Sequence, residues 1–244
     1  MNGTRVKLDV ALTIDSATVL SHTESAVAVI DVLRATSTVS KALHSKASSV
    51  FPVSGLEAAK EAAMTLAPAL LCGERLGVRP EGFDLGNSPL EYGEDAVAGK
   101  KLVLATTNGT KALDRYSDAR LLTAASLLNA TAVAEYLLST GRDMILVCAG
   151  QDGTFGAEDA ICAGMMVERM IKEGVLMTDP AWMALTAYRA CRHDLAGSIK
   201  KCDHAGYLIE EGFEQDVEYC SKADILNVVP VATVLEGRTA VVRA

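Results

Sequence analysis

The 244-residue sequence is poor in aromatic side chains, in basic charge and in long apolar runs. Lysine and arginine number 23 against 31 aspartates and glutamates, so the formal net charge is −8. Such a balance argues against a surface for nucleic acid or for an anionic membrane. The longest stretch without a charged residue, 121–134, has 14 residues and is too short to span a bilayer. A small basic pocket for an anionic metabolite is still compatible with this composition.

A targeting segment is also lacking near the start of the sequence. A secretory signal peptide needs an unbroken apolar stretch, and Arg5, Lys7, Asp9 and Asp15 interrupt it here. We therefore expect a cytoplasmic protein that binds neither membranes nor nucleic acid. A homodimer is compatible with the sequence, which contains no specific sign of one.

Cysteine and histidine are too sparse, and too far apart, for a disulfide framework or a zinc site. The six cysteines form no CxxC pair and have no zinc-ligand spacing with the four histidines. We expect each cysteine to be a small buried apolar side chain. The histidines (His22, His44, His193 and His204) lie outside the loops considered below, so the sequence gives no support for a phosphohistidine mechanism.

Common motifs of phosphate and ester chemistry are missing as well. The triplet Gly109–Lys111 lacks both the earlier glycine and the following hydroxyl residue of a P-loop. The three glycines of segment 150–156 are spaced by three and do not match GxGxxG, and no GxSxG nucleophile elbow occurs. A haloacid-dehalogenase site needs a second aspartate two residues after Asp31, where Leu33 stands.

What the sequence does contain is a regular alternation of short apolar runs and helical patterns. Strands alternating with helices of this length require crossover connections, so we predict a largely parallel sheet in a three-layer α/β/α arrangement, forming one domain over residues 1–244. Predicted strands are Ala26–Ile30, Ser49–Val53, Ala69–Cys72, Leu102–Ala105, Leu121–Ala124 and Met144–Cys148, with helices over Ser37–Lys46 and Leu56–Leu66.

The C-terminal third differs from this alternation. From Ala157 to about Cys220 the pattern is helical, and we predict a helical insertion over about 177–220 before the final strands. These strands contain Val228-Val229 and Thr239–Val242. Pro230 predicts that the first of them is an edge or irregular strand, because proline cannot donate to a ladder.

Two segments at strand-to-helix junctions resemble each other. Thr36–Leu43 and Thr106–Leu113 share Thr, Lys, Ala and Leu at four of eight aligned positions, and hydroxyl residues match at two more. The similarity is explained equally by chance convergence of two Ala/Leu-rich junctions and by an internal duplication of an anion-binding turn.

Ligands of open parallel sheets bind beyond the carboxyl ends of the strands, where this sequence places its unusual residues. The first such loop holds Asp31, Arg34 and the hydroxyl residues Thr36, Ser37, Thr38 and Ser40. Helix N-terminal N–H groups and hydroxyls together bind anions, although a simple N-cap accounts for one of these hydroxyls. The second loop, with Thr107, Asn108, Gly109, Thr110 and Lys111, offers the same chemistry, or a glycine turn capped by Thr110.

Two further loops carry charged candidates. Glu74 and Arg75 follow a strand and open the long polar loop 76–92, which contains Arg79; loops of this length tend to be functional. Glu158 and Asp159 fall in the first turn of a helix, where the helix dipole alone favours acids. Adjacent helical residues point about 100° apart, so one acid can bind a metal while the other holds its waters, an arrangement typical of hydrated Mg²⁺.

Four stretches together resemble the 2-phosphosulfolactate phosphatase family. They are Val29–Thr38, Cys72–Arg75 with Gly82–Pro89, Thr106–Thr110, and Cys148–Gly150 with Gly156–Asp159. The resemblance implies an Mg²⁺-dependent hydrolase that converts (2R)-2-phospho-3-sulfolactate to 3-sulfolactate and phosphate, a step towards coenzyme M. The helical segment 177–220 contains none of these motifs.

The charged and hydroxyl residues of these loops, together with the family resemblance, predict one site for a small anionic phosphorylated substrate. Mg²⁺ is expected on some of Asp31, Glu74, Glu158 and Asp159, with catalysis by Asp31, Arg34, Glu74 and Arg75 and substrate binding by Thr36, Ser37, Thr38, Arg79 and 107–111. Asp31 either activates water or attacks phosphorus directly. The alternatives are a phosphatase of another small phosphorylated hydroxy acid and a non-catalytic sensor of anionic metabolites.

Overall fold

A computed structural model describes residues 5–244 of the chain. Ten strands form one sheet: β1 (Lys7–Ala11), β2 (Ala26–Ile30), β3 (Ser49–Val53), β4 (Ala69–Gly73), β5 (Lys101–Ala105), β6 (Leu121–Ala125), β7 (Met144–Cys148), β8 (Leu176–Met177), β9 (Pro230–Leu235) and β10 (Arg238–Arg243). Ten helices accompany them: α1 (Ala35–His44), α2 (Leu56–Thr65), α3 (Glu94–Val97), α4 (Gly109–Arg115), α5 (Ala130–Ser139), α6 (Ala157–Met170), α7 (Asp179–Cys191), α8 (Leu195–Ile199), α9 (Asp203–Glu210) and α10 (Glu214–Cys220). Short 3-10 turns lie at 89–91, 127–129 and 171–173.

The sheet consists of two parallel groups joined by an antiparallel hairpin. Its strand order is β4-β5-β3-β10-β9-β6-β2-β7-β1-β8. Strands β4, β5 and β3 are mutually parallel, as are β6, β2, β7, β1 and β8. The hairpin β9–β10 pairs antiparallel with β6 on one side and with β3 on the other. The prediction of an α/β fold with a largely parallel sheet flanked by helices is therefore confirmed.

The final strands depart from the prediction in one respect. Val228 and Val229 precede β9, which begins at Pro230 and lies between β10 and β6 in the middle of the sheet. Of the two alternatives, an edge or an irregular strand, the edge strand is therefore wrong, and the strand begins after Val228 and Val229 instead of containing them. Proline is tolerated here because the first residue of a strand is one of the positions at which its missing N–H removes no ladder bond.

Helices α1 and α4 lie between the two parallel groups and contact strands of both. Val27 and Val29 of β2 face this layer and share a buried core with Leu43 of α1 and Leu113 of α4. Burial of each such side chain contributes about 1.5–3 kcal/mol. On the other face of β2, Ala26, Ala28 and Ile30 pack in the core formed with α5, α6 and α7. Apolar packing thus fixes both faces of β2, and it holds α1 and α4 against the strand.

The predicted helical insertion is present as helices α7 to α10. Helix α7 packs closely along α6: a Cβ at Gly164 of α6 would collide with the carbonyl oxygen of Ala184, so only glycine permits this approach. Helices α9 and α10 pack on each other and reach back to the loop after β4. Within residues 5–244, no helix has the length and apolar character needed to cross a bilayer.

The two similar segments occupy different positions relative to their strands and helices. Thr36 lies inside α1, as its second residue, whereas Thr106 directly follows β5 and precedes α4 by three residues. The Ala-Leu pair that the two segments share nevertheless has the same role in both, because Ala42, Leu43, Ala112 and Leu113 all lie in the core between the two parallel groups.

Candidate active site

A cleft of about 270 Å³ opens where several strands end, between the loops after β2, β4, β5 and β7 and helix α9. One side of the cleft is acidic and polar, and the other is formed by the helical insertion. The lining residues are Asp31, Leu33, Arg34, Glu74, Leu76, Gly77, Asn87, Thr106, Thr107, Asn108, Gln151, Asp152, His204, Tyr207 and Leu208. Five predicted site residues from three loops (Asp31, Arg34, Glu74, Thr107 and Asn108) are thus brought together.

Asp31 is the buried acid of this cleft. It follows β2 directly, and its carboxylate Oδ1 accepts the backbone N–H of Ala35 at 3.1 Å. Burial raises the pKa of Asp31 from 3.8 to about 7; the N–H of Ala35 opposes the shift, and the negative charges of Glu158 and Glu74 add to it. A carboxyl group with a pKa near neutrality can hold and release a proton under working conditions.

Gly109 brings the start of α4 against Asp31. A Cβ at this position would lie 2.6 Å from the Cβ of Ala35 and 2.8 Å from Oδ2 of Asp31, so any larger residue would push α1 and α4 apart. The backbone N–H of Gly109 faces the Asp31 carboxylate and lowers its pKa. The glycine predicted to approach a ligand therefore approaches the carboxylate of Asp31 instead.

Glu74 is held at the cleft by neighbouring loops. Its Oε2 accepts the backbone N–H of Gly77 at 2.8 Å, and its Oε1 accepts both the N–H and the hydroxyl of Thr107, at 3.1 and 3.0 Å. These bonds fix the orientation of the carboxylate and join the loop after β4 to the loop after β5. Thr107 thus contributes to the site by orienting Glu74.

Glu158 and Asp159 begin α6 beneath the cleft, and they differ in their contacts. Asp159 accepts the N–H of Val32 at 2.8 Å on one oxygen and the N–H of Gly150 at 2.9 Å on the other. It therefore ties the loop after β2 to the loop after β7. Burial raises the pKa of Asp159 well above its usual value, and the charges of Glu158 and Asp31 add to the effect. Glu158 is equally buried and lies beside the thiol of Cys202.

The acids of this region are the candidate ligands for a hard cation. Carboxylate oxygens are the ligands of Mg²⁺, which is typically held by one or two carboxylates while waters and substrate oxygens complete its coordination. The negative charge of Glu158 contributes to the raised pKa values of Asp31 and Asp159, and a cation would relieve this repulsion. Across residues 5–244 no three His, Cys, Asp or Glu side chains converge into a complete metal cage. The arrangement fits a partly hydrated Mg²⁺ better than a structural zinc.

Arg34 is the only lysine or arginine that lines the cleft in the described part of the chain. Its guanidinium donates to Oδ2 of Asp216 at 2.6 Å and to the carbonyl oxygen of Gly77 at 2.5 Å, and it stacks 4.2 Å from the ring centre of Phe213. The other Asp216 oxygen accepts the hydroxyl of Ser88 at 2.6 Å. This buried network joins α10 to the loops after β2 and β4, and it fixes the position of the Arg34 guanidinium.

The hydroxyl groups of the first predicted anion-binding turn point into the interior. The hydroxyl oxygen of Thr36 accepts the backbone N–H of Asp31 at 2.9 Å, and its one hydrogen faces the carbonyl oxygens of Asp31 and Ala125, at 2.8 and 2.6 Å. Ser37 donates to Val32 and Thr38 to Asn87, in both cases to the carbonyl oxygen. All three side chains are buried and none lines the cleft. These contacts brace the turn after β2 and leave no support for the predicted substrate contacts.

Two predicted cations lie in an adjoining cleft of about 200 Å³, on the other side of Glu74. Arg75 and Lys111 both line it and both are exposed, with Glu74 and Thr107 shared between the two clefts. Arg79 lines neither, because its guanidinium turns to the carbonyl oxygen of Asp84 at 3.2 Å. Thr110 is buried, and its hydroxyl donates to the carbonyl oxygen of Thr106 at 2.6 Å.

Helix α9 supplies three cleft residues that the sequence did not predict: His204, Tyr207 and Leu208. Burial lowers the pKa of His204, an effect opposed by Glu158 and reinforced by Arg34. The hydroxyl of Tyr207 donates to the carbonyl oxygen of Leu76 at 3.0 Å and so attaches α9 to the loop after β4. No motif marks these residues, since only the packing of the insertion against distant loops brings them to the cleft.

Comparisons with known proteins point to one family. Residues 13–234 match the family model described as 2-phosphosulpholactate phosphatase. A protein of Thermotoga petrophila named probable 2-phosphosulfolactate phosphatase is 44% identical over 202 residues, which are 83% of this chain and 86% of that protein. Proteins of the same name from Carboxydothermus hydrogenoformans and Clostridium acetobutylicum are 40% identical over 216 residues (88% and 89% of the two chains) and 38% identical over 233 residues (93% and 98%).

The match covers the whole cleft and every strand of the sheet except β1, β10 and the last residue of β9. Every loop that lines the cleft, from Asp31 to Leu208, falls inside the matched residues 13–234. Similarity of this extent shows a common family, and the family name denotes enzymes that hydrolyse phosphoric monoesters. The chain belongs to the 2-phosphosulfolactate phosphatase family.

Proposed function

We propose that this protein is an Mg²⁺-dependent phosphatase that hydrolyses 2-phospho-3-sulfolactate to 3-sulfolactate and phosphate. The observation that carries the proposal is the buried carboxyl group of Asp31, whose pKa is about 7, at the floor of a cleft that also holds Glu74 and Arg34. The names of the relatives supply the substrate, and hydrolysis of this ester would serve a step such as that towards coenzyme M.

Asp31 and Glu74, with Glu158 beneath them, would hold the metal. Bound Mg²⁺ would offset the charge of the phosphoryl group and of the leaving oxygen. Asp159 would not bind the metal directly, because both of its carboxylate oxygens already accept backbone N–H groups. Its contacts position the loop that carries Asp31, so it supports the site without needing to bind the cation directly.

Asp31 has the chemistry for the central step. Its carboxylate can take a proton from water as the water oxygen attacks phosphorus, and the departing ester oxygen then takes up a proton. Alternatively, the carboxylate attacks phosphorus itself and forms an aspartyl phosphate, which water then hydrolyses to release phosphate. In either case the bond from phosphorus to the ester oxygen breaks, and the ester oxygen leaves protonated. A general base works best when its pKa lies near the operating pH. Burial gives Asp31 such a value in the metal-free protein, and a bound cation would lower it. Arg34, held by Asp216 and Gly77, adds a fixed positive charge on the same side of the cleft.

A panel of phosphomonoesters, assayed with Mg²⁺ and with excess chelator, tests the proposal. The panel contains 2-phosphosulfolactate, 2-phospholactate and glycerol 2-phosphate. We expect phosphate release only with metal, and the highest kcat/KM for 2-phosphosulfolactate. The Asp31→Asn protein, purified in parallel, is the matched control for contaminating phosphatases.

Other outcomes would replace the proposal. Full activity in excess chelator would show that the hydrolysis does not require a metal ion. A higher kcat/KM for another ester would identify a different small hydroxy-acid phosphate as the substrate. Binding of the esters without turnover, under all metal conditions, would favour a sensor of anionic metabolites.

A further inference from the structure

Helix α9 and the loop after β4 place two buried polar groups without partners at the same cleft. Oδ1 of Asn87 and Nδ1 of His204 are both buried and make no hydrogen bond among the residues that the structure describes. The Asn87 residue is only 5% exposed, and both residues line the cleft. Nearly all buried polar atoms in native proteins have a hydrogen-bond partner. Two exceptions in one cleft therefore point to a bound ligand that supplies the missing partners.

Both groups lie at the Arg34 side of the cleft. Asn87 precedes Ser88, whose hydroxyl shares Asp216 with the guanidinium of Arg34. Helix α9 meets Arg34 at Gly77, where an added Cβ would lie 3.8 Å from Nη2 of Arg34 and 3.7 Å from Leu208, one helical turn after His204. The charge of Glu158 nevertheless affects the pKa of His204 more than that of Arg34 does. Arg34, Asn87 and His204 therefore form one group, which we call the basic end of the cleft, as distinct from the acidic end with Asp31 and Glu74.

The chemistry of the basic end favours an oxygen anion. Arg34 is fixed and always charged, while an asparagine amide and an imidazole can each donate a hydrogen bond through the appropriate amide orientation or ring protonation. The phosphoryl group is expected at the acidic end, where the carboxylates would share it with a cation. A second anionic group, one or two carbon atoms from the ester oxygen, would then reach the basic end.

We propose that Asn87 and His204, beside Arg34, form the subsite that recognises the acidic group of the substrate that is not transferred. This inference rests on the proposed phosphatase function, and it assigns substrate selection to the helical insertion as well as to the motif loops. Carboxylate and sulfonate offer the same hydrogen-bond chemistry, so both are included.

Two esters that differ only in this group provide the test. 2-Phospholactate carries a carboxylate where isopropyl phosphate carries a methyl group, so the ratio of their kcat/KM values reports the subsite alone. We expect the parent to prefer 2-phospholactate, and His204→Gln and Asn87→Ala each to lower the ratio about 10- to 100-fold, as for loss of a hydrogen bond to a charged group. The kcat/KM for isopropyl phosphate should change less than about threefold, a conservative limit relative to a tenfold effect.

Controls separate recognition from stability and from chemistry. His193→Gln, an exposed position on the same insertion, should leave the ratio unchanged, and melting temperatures show whether each variant is folded. The ratio of dissociation constants for the two esters, measured by calorimetry, reports the subsite even without turnover. Adding 2-phosphosulfolactate, which keeps the carboxylate and gains a sulfonate, shows whether a second acidic group raises the preference further.

The inference and the proposed function fail in different ways. A parent protein that hydrolyses both esters equally, or variants that lose both activities in parallel, would overturn the subsite and leave the phosphatase intact. Absence of hydrolysis of every ester would overturn the proposed function, and the calorimetric ratio would still decide whether Asn87 and His204 recognise the anion.

Discussion

Residues 36–43 and 106–113 agree at four of eight positions, yet their hydroxyl groups face opposite surroundings. In the turn after β2, Thr36 and Thr38 are buried and donate to backbone carbonyl oxygens. In the turn after β5, Thr107 is exposed and its hydroxyl holds Glu74 at the cleft. The first turn therefore contributes its carboxylate, Asp31, and the second contributes its polar surface. Similar residues at a strand end do not define similar roles, because the start of the helix relative to the strand decides which side chains face out.

Asp31→Asn should have the largest effect on activity. The hydroxyl groups of the turn after β2 are buried, so the carboxylate of Asp31 is the group of this turn that can take part in the reaction. Asparagine keeps the size of the side chain but cannot take a proton, attack phosphorus or neutralise a cation. We expect kcat to fall by about 10²–10⁴-fold, as for loss of a group that acts in proton transfer. Steady-state kinetics of phosphate release, with a thermal melt of the same sample, provide the measurement. A folded variant that keeps more than about a tenth of kcat, far above that range, would make Asp31 structural and Glu74 or Glu158 the leading acid.

The same substitution should change stability in a pH-dependent way. The folded-state pKa of Asp31, about 7, lies above its ordinary value of 3.8, so the folded protein binds this proton more tightly than the unfolded chain does. The resulting stability is complete below about pH 4 and is lost as the pH rises to 7. Because asparagine carries no charge, Asp31→Asn should be more stable than the parent at pH 8, by at most about 4 kcal/mol, with no such gain at pH 4.

Denaturant unfolding in the presence of a chelator measures this stability difference, since a bound cation would mask it. A constant difference between parent and variant from pH 4 to pH 8 would show that Asp31 ionises normally in the folded protein.

A matched pair of threonine variants tests the comparison of the two turns directly. Thr36→Val removes a buried hydroxyl that accepts the N–H of Asp31 and donates to a neighbouring carbonyl oxygen, so it should lower the free energy of unfolding by about 1–3 kcal/mol. Thr107→Val removes an exposed hydroxyl that orients Glu74, so it should change stability by less than about 0.5 kcal/mol. Only the second should lower kcat/KM in the fully folded protein, which requires kinetics well below the melting temperature of each variant. Reversal of these two effects would exchange the roles of the turns.

The smallest expected effect concerns the lysine shared by the two segments. Lys111 lines the adjoining cleft and is exposed, so its charge is screened by solvent and Lys111→Ala should raise KM only a few-fold. Lys41 occupies the corresponding place in α1 and lines none of the clefts described above, so Lys41→Ala should leave KM unchanged. Equal effects of the two variants would indicate that general surface charge, and no local contact, attracts the substrate.

Much of the sheet follows from local sequence pattern. The apolar runs that predicted strands at 26–30, 49–53 and 144–148 match β2, β3 and β7 at both ends. The central place of β9 was not predictable in this way, because pairing of β9 with β6 and of β10 with β3 joins residues that are far apart in sequence. A proline at a strand start and a proline in an edge strand look alike in sequence.

The site was predictable to a similar degree. Charged residues directly after strands, Asp31 and Glu74, lie at the cleft because the carboxyl ends of strands position them there. Hydroxyl residues two or more positions further on, such as Thr36, turn inward with the first turn of a helix. His204 reaches the cleft only through the packing of the insertion, which no local pattern encodes.

Magnesium affinity tests the central claim most directly, since the account places a cation on the carboxylates around Asp31. Calorimetric titration of Mg²⁺ should show one binding event in the parent, weakened at least about tenfold in Asp31→Asn, as for loss of a charged contact. The exposed Asp114→Asn is the control and should bind like the parent. Equal affinity in the parent and in Asp31→Asn, or no Mg²⁺ binding in the parent with phosphate as co-ligand, would contradict the account.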